Sequence, residues 1–116
     1  MKRFISLTLT AICISLITPM TFASERAEQG WLLIEQGAMI IDVRTPREFA
    51  EGHLDNAVNF PLSELDKHYK GIVKDKEIVL YCRSGNRSGK AYQYLQSKGF
   101  TNLHNAGGFE ELQNVQ

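Results

Sequence analysis

Cysteine is scarce in this chain: Cys13 and Cys82 are the whole supply. No Cys-x-x-Cys pair exists, which argues against thioredoxin-type dithiol exchange. His53, His68 and His104 are scattered without ligand spacing, so no metal site is expected. Basic and acidic residues balance at 13 each, leaving no positive excess to hold nucleic acid or an anionic membrane surface. Repeats, low-complexity tracts and linkers are missing as well. The length of 116 residues suits one domain and not two.

No apolar run reaches the ~20 residues that span a bilayer. The longest lies at the N-terminus and has a different character. Met1-Lys2-Arg3 is a basic start, Phe4 to Ile17 carries no charge, and Pro19 breaks the run. Thr21-Phe22-Ala23 then offers small residues around a cut after Ala23, the order of a secretory signal peptide over residues 1–23. The alternative, a transmembrane anchor, is disfavoured by the short run and its Ser and Thr content. Cys13 lacks the lead-in of a lipoprotein signal. Cleavage would leave residues 24–116, a chain of 93 residues with 11 basic and 13 acidic side chains and a net charge of −2. That is enough for one core. The expected destination is the periplasm of a Gram-negative host, without stable membrane insertion after processing. Cys82 would then be the lone thiol in an oxidising compartment: buried and inert, reactive, or paired with another chain.

Short apolar strands alternate with helical stretches in the rest of the chain, which predicts an α/β layer fold with a largely parallel sheet. The pattern places helices at Glu25–Gln36, after Thr45, at Leu62–Tyr69 and at Ser88–Lys98. It places strands at Met39–Val43, Ala57–Phe60, Glu77–Tyr81 and Thr101–Asn105, with a last helical turn near Phe109–Leu112. Thr45-Pro46-Arg47-Glu48 reads as a capping box with proline in the first helical position. Gly107-Gly108 reads as a tight turn.

Chemistry concentrates after the strongest strand, where Cys82-Arg83-Ser84-Gly85-Asn86-Arg87 leads into a helix near Ser88. Ligands of open α/β sheets bind beyond the carboxyl ends of strands. Four features favour an anion at the Cys82 sulfur. The next helix aims its N–H groups and positive dipole end at the loop. Arg83 and Arg87 add positive charge. Gly85 lets successive amides turn inward as a nest. Ser and Asn supply tight-turn hydrogen bonds. Together they predict a thiol pKa below the free value of about 8.5. The competing reading, a quietly packed strand-end cysteine, fits poorly beside two arginines and a glycine.

These residues resemble the single-domain rhodaneses, which are sulfurtransferases. One segment runs Ile41-Asp42-Val43-Arg44-Thr45-Pro46-Arg47-Glu48-Phe49, then Glu51-Gly52-His53-Leu54 and Ala57-Val58-Asn59-Phe60-Pro61. It is similar to that family's first signature. Val79 to Ser88 resembles its active loop, and Asn105-Ala106-Gly107-Gly108-Phe109 its C-terminal Gly-Gly segment. The exported, short form is similar to the phage-shock-type periplasmic members. The resemblance implies a rhodanese-like three-layer domain over residues 24–116, with a central sheet flanked by helices. It implies Cys82 as the nucleophile and no cofactor. Arg83, Ser84, Gly85, Asn86, Arg87 and Ser88 would bind the substrate. The donor would be thiosulfate or a similar compound, and the acceptor cyanide, a thiol or a protein. Asp42, Arg44 and His53 are expected to be structural, Gly107 and Gly108 to let backbones approach, and Trp31 to be core or a lid.

Two other functions compete with this one. One is a non-catalytic module of the same fold that senses sulfide or oxidant, or binds a partner, through Cys82. The other is a small phosphatase or arsenate reductase. Cysteine-dependent phosphatases place an arginine six positions after the cysteine; here that position is Ser88 and the arginine falls at five. The shorter loop suits a single sulfur atom better than a tetrahedral phosphate.

Overall fold

The computed structural model describes residues 22–116. The predicted signal peptide therefore lies almost wholly outside the described residues. Helix α1 (Phe22–Glu35) leads into strand β1 (Met39–Asp42), helix α2 (Pro46–Glu51) and the two-residue strand β2 (Val58–Asn59). A 3-10 helix over Leu62–Lys67 follows, then β3 (Ile78–Cys82), α3 (Asn86–Ser97), β4 (Leu103–Gly108) and α4 (Phe109–Asn114). The four strands form one sheet in the order β2-β1-β3-β4, and every pairing is parallel. The expected α/β class with a parallel sheet is what the chain adopts.

Parallel strands covered on both faces read as continuous apolar runs. All five residues of β3 are buried, and their alternation divides the core in two. Ile78, Leu80 and Cys82 face one side, packed with Leu65 and with Ala91 and Leu95 of α3. Val79 and Tyr81 face the other, packed with Ala27 of α1 and Leu112 of α4. The Cys82 side chain therefore points toward α3, the helix that begins four residues later.

The predicted capping box is present. Thr45 Oγ1 accepts from Glu48 N at 3.2 Å, and the Thr45 N–H donates to Glu48 Oε1 at 3.2 Å. Other boundaries differ from the sequence pattern. The segment from Leu62 is 3-10 rather than α-helical and ends at Lys67. Leu62 and Leu65 are its core-facing residues, and a three-residue repeat puts both on one side. β3 extends through Cys82, α3 starts at Asn86, and β4 runs Leu103–Gly108 instead of ending at Asn105. Gly107 and Gly108 are thus strand residues paired with Tyr81 and Cys82, not a turn. The absence of a side chain at Gly108 permits this, since a Cβ there would overlap the carbonyl oxygen of Arg83. No helix among the described residues is long and apolar enough to cross a membrane.

Candidate active site

The carboxyl ends of β1, β3 and β4 meet at one edge of the sheet, where Asp42 pairs with Tyr81 and Cys82 with Gly108. Cys82 is completely buried. Its sulfur is met by hydrogen-bond donors: the Gly85 N–H at 2.9 Å and the Ser88 hydroxyl at 3.3 Å. Burial pushes the Cys82 thiol up. The Ser88 hydroxyl and the backbone N–H groups of Ser88, Ser84 and Gly85 pull it down by more, so it sits below the ordinary thiol range.

Ser88 is shared. Its hydroxyl also lies 2.8 Å from Asn105 Oδ1, and one hydroxyl carries one proton. An ionised sulfur draws that proton inward, and a protonated one releases it to Asn105. Asn105 Oδ1 accepts from Gly107 N at 3.0 Å as well, and its Nδ2 donates to the Gly85 carbonyl at 3.1 Å. One amide thereby ties β4 to the loop and to the start of α3.

The arginines are arranged differently from their sequence reading. Arg87 is engaged by Glu48 of α2, with Nη1–Oε1 2.6 Å and Nη2–Oε2 2.9 Å. The Arg87 pKa is raised, first by the Glu48 hydrogen bond against opposing burial, with the charges of Glu48, Cys82 and Asp42 adding to it. Arg83 is exposed and has no ion-pair partner among the described residues. It lines an open cleft of about 610 Å³ beside the loop, together with Arg44, Glu48, Phe109 and Glu110. Hydrogen bonds from the loop, more than the charges of these two arginines, depress the thiol pKa. Of the predicted site residues, Ser84, Gly85 and Ser88 converge on the sulfur. Asn86 is exposed at the start of α3 and makes no side-chain hydrogen bond among the described residues.

Asp42 and Arg44 form a closed unit behind the site. Arg44 Nε lies 3.0 Å from both Asp42 oxygens, its Nη2 2.6 Å from Oδ2, and the same nitrogen 2.6 Å from the Gly52 carbonyl. The guanidinium stacks 4.7 Å over the Phe109 ring. His53 is exposed, stacked on Phe49 with its Nδ1 against the Phe49 carbonyl. Trp31 packs with the α1 side of the core and donates to the Leu112 carbonyl.

Four residues outside the predicted set also support the site: Arg26, Glu48, Asn105 and Glu111. Glu48 carried a capping signal and a place in the first signature, neither of which points to Arg87, and Asn105 only its place before the paired glycines. Arg26 and Glu111 carried no local signal.

A family model described as a Rhodanese-like domain matches residues 26–114. The chain belongs to the rhodanese family. Within it, the chain is 45% identical over 75 residues to YqhL of Bacillus subtilis (strain 168), covering 64% of this chain and 60% of that protein. It is 36% identical over 74 residues to the thiosulfate sulfurtransferase PspE of Escherichia coli (strain K12), covering 62% of this chain and 71% of PspE. Among solved structures, a rhodanese with anions from E. coli superposes with a TM-score of 0.61 at 32% identity, over 65% of this chain and 91% of that one.

Proposed function

We propose that this rhodanese is a sulfurtransferase that carries a sulfane sulfur on Cys82. One observation carries the reading: a buried sulfur faces an inward-turned set of N–H and O–H donors, an arrangement suited to a sulfur anion. The relative named a thiosulfate sulfurtransferase supports thiosulfate as a donor, and the related fold that holds anions supports an anion cradle.

In the first step the Cys82 thiolate attacks the outer sulfur of thiosulfate. The sulfur–sulfur bond of the donor breaks, its electron pair leaves on sulfite, and Cys82 holds a persulfide. The donors of Ser84, Gly85 and Ser88 stabilise the charge before and after transfer, as an oxyanion hole does. In the second step a nucleophile such as cyanide or a thiol attacks the outer sulfur, and the thiolate returns. Two displacements predict ping-pong kinetics. No general base is needed where the loop keeps the thiol ionised. Arg83, exposed on the cleft wall, attracts the dianionic donor, and Arg87 contributes through its residual field. The basic start, the apolar run and the small residues before Ser24 support export and cleavage after Ala23, with the periplasm as the working compartment.

Full burial of Cys82 also favours a second reading, a module that takes up sulfur or oxidant once and releases it slowly. Steady-state conversion of thiosulfate and cyanide to thiocyanate separates the two. Sustained turnover with parallel double-reciprocal lines is expected, together with complete loss in a folded Cys82→Ser variant. Turnover retained in that variant refutes the assignment of Cys82. A single stoichiometric uptake without turnover favours the sensing module.

A further inference from the structure

The peptide group between Ser84 and Gly85 is held at both of its ends. Its N–H, that of Gly85, points at Cys82 Sγ over 2.9 Å. Its carbonyl, that of Ser84, faces the opposite way and accepts from Arg26 Nη2 at 3.1 Å, across 58 residues of sequence. A trans peptide sets its C=O and N–H antiparallel. Whatever pins the oxygen outward therefore aims the hydrogen inward.

We propose that Arg26 is a positioning residue of the active loop, which locks the Ser84–Gly85 peptide with its N–H directed at the Cys82 sulfur. The pin is needed because the peptide precedes a glycine at φ +96°, where backbone rotation meets little steric resistance. The flipped peptide would set a carbonyl oxygen against the sulfur and repel a thiolate.

The guanidinium is itself fixed. Nε donates to Glu111 Oε2 at 3.0 Å and Nη2 to Oε1 at 2.5 Å, a bidentate pair with α4. It fills a slot left by two glycines. A Cβ on Gly85 would lie 2.7 Å from Nη1, and a Cβ on Gly107 would overlap Nε. The next carbonyl, that of Gly85, is held outward by Asn105, so consecutive peptides of the loop are anchored from two elements. The Arg26 pKa is raised, chiefly by the Glu111 hydrogen bond against opposing burial, with the charges of Glu111 and Cys82 adding to it. Because Arg26 stands on α1, seating of that helix is coupled to the readiness of a loop far away in sequence.

This inference rests on Cys82 being the reactive thiol, and its test reads that thiol without sulfur transfer. Alkylation by neutral iodoacetamide is followed against pH in wild type, Arg26→Gln and Arg26→Lys. Arg26→Gln is expected to raise the midpoint by about one pH unit, about ten-fold less thiolate at a given pH below it. Arg26→Lys keeps a cationic donor for the Ser84 carbonyl and should fall between the two. Amide hydrogen exchange at Gly85 should quicken about ten-fold in Arg26→Gln, while Leu95 in α3 keeps its protection. A wild-type midpoint and unchanged Gly85 exchange in the folded variant overturn the proposal. Should Arg26→Gln not fold, Glu111→Gln, which loosens the guanidinium without removing it, carries the same test. A smaller upward shift supports the proposal, and a wild-type midpoint in both Glu111→Gln and Arg26→Lys overturns it. Absence of thiocyanate turnover in wild type would sink the sulfurtransferase reading and leave this titration intact.

Discussion

Glu48 holds Arg87 face to face, carboxylate to guanidinium, at 2.6 and 2.9 Å. The same carboxylate closes the capping box of α2 through Thr45. The Arg87 guanidinium, together with the Thr45 backbone and hydroxyl, lowers the Glu48 pKa to about 2 against the opposing effect of burial. The Arg87 charge that sequence spacing alone would leave free for an anion is thus largely neutralised inside the protein.

Glu48→Gln should make that charge available. Glutamine still serves the capping box, so the helix is retained while Arg87 loses its counter-charge. The expected result is a thiosulfate KM about three- to ten-fold lower with little change in kcat, an effect that shrinks at high salt. Steady-state kinetics at two ionic strengths check it, and an unchanged KM removes Arg87 from donor binding.

The same pair sets an acid limit. Glu48 has a depressed pKa in the folded state, so its contribution to stability is fully present above the unfolded carboxylate value and is lost as pH falls toward about 2. Thermal midpoints measured from pH 5 to pH 2 should fall more steeply for wild type than for Glu48→Gln. Parallel curves would show that the pair adds nothing.

Cys82 follows the same sign at higher pH. Its folded pKa is depressed, so the loop's stabilisation of the anion is complete above the unfolded thiol value of about 8.5 and is lost as pH falls through the folded value. The rate of alkylation should rise through a midpoint below 8.5. Ser88→Ala should raise that midpoint by about one unit, since it deletes the only side-chain donor to the sulfur among the described residues. A midpoint at the free-cysteine value in wild type contradicts the cradle.

Arg44→Ala strands Asp42, which is wholly buried. Removing one member of a buried pair costs about 3–5 kcal/mol, so the urea midpoint should fall sharply with an unchanged m-value. A loss under about 1 kcal/mol would mean that water reaches Asp42.

Gly108→Ala tests the seam between β4 and the loop. The new methyl would meet the Arg83 carbonyl. Separation of the two backbones is expected to cost about 1–3 kcal/mol and most of the thiocyanate activity. Wild-type activity would show that the loop does not need this contact.

The sequence alone determined the local and periodic features of this protein. Continuous apolar strands, helix spacing and the Thr45–Glu48 cap are set within a few residues, and the apolar pattern and the capping motif predict them. The short spacing from Cys82 to Arg87 and Ser88 likewise marked the candidate site at the end of β3 and the family. The tertiary structure decided which groups touch the sulfur and which charges remain available. Arg26 meets Glu111 across 85 residues and Arg87 meets Glu48 across 39, while Asn105 reaches the loop from another strand. Such pairs leave no periodic trace, because packing of the layers, not chain proximity, brings them within hydrogen-bond distance. Gly107 and Gly108 show the same limit: a glycine pair serves a turn or a close strand contact equally well, and here the close approaches of Arg26 to Gly107 and of the Arg83 carbonyl to Gly108 come with the pairing of both to β3.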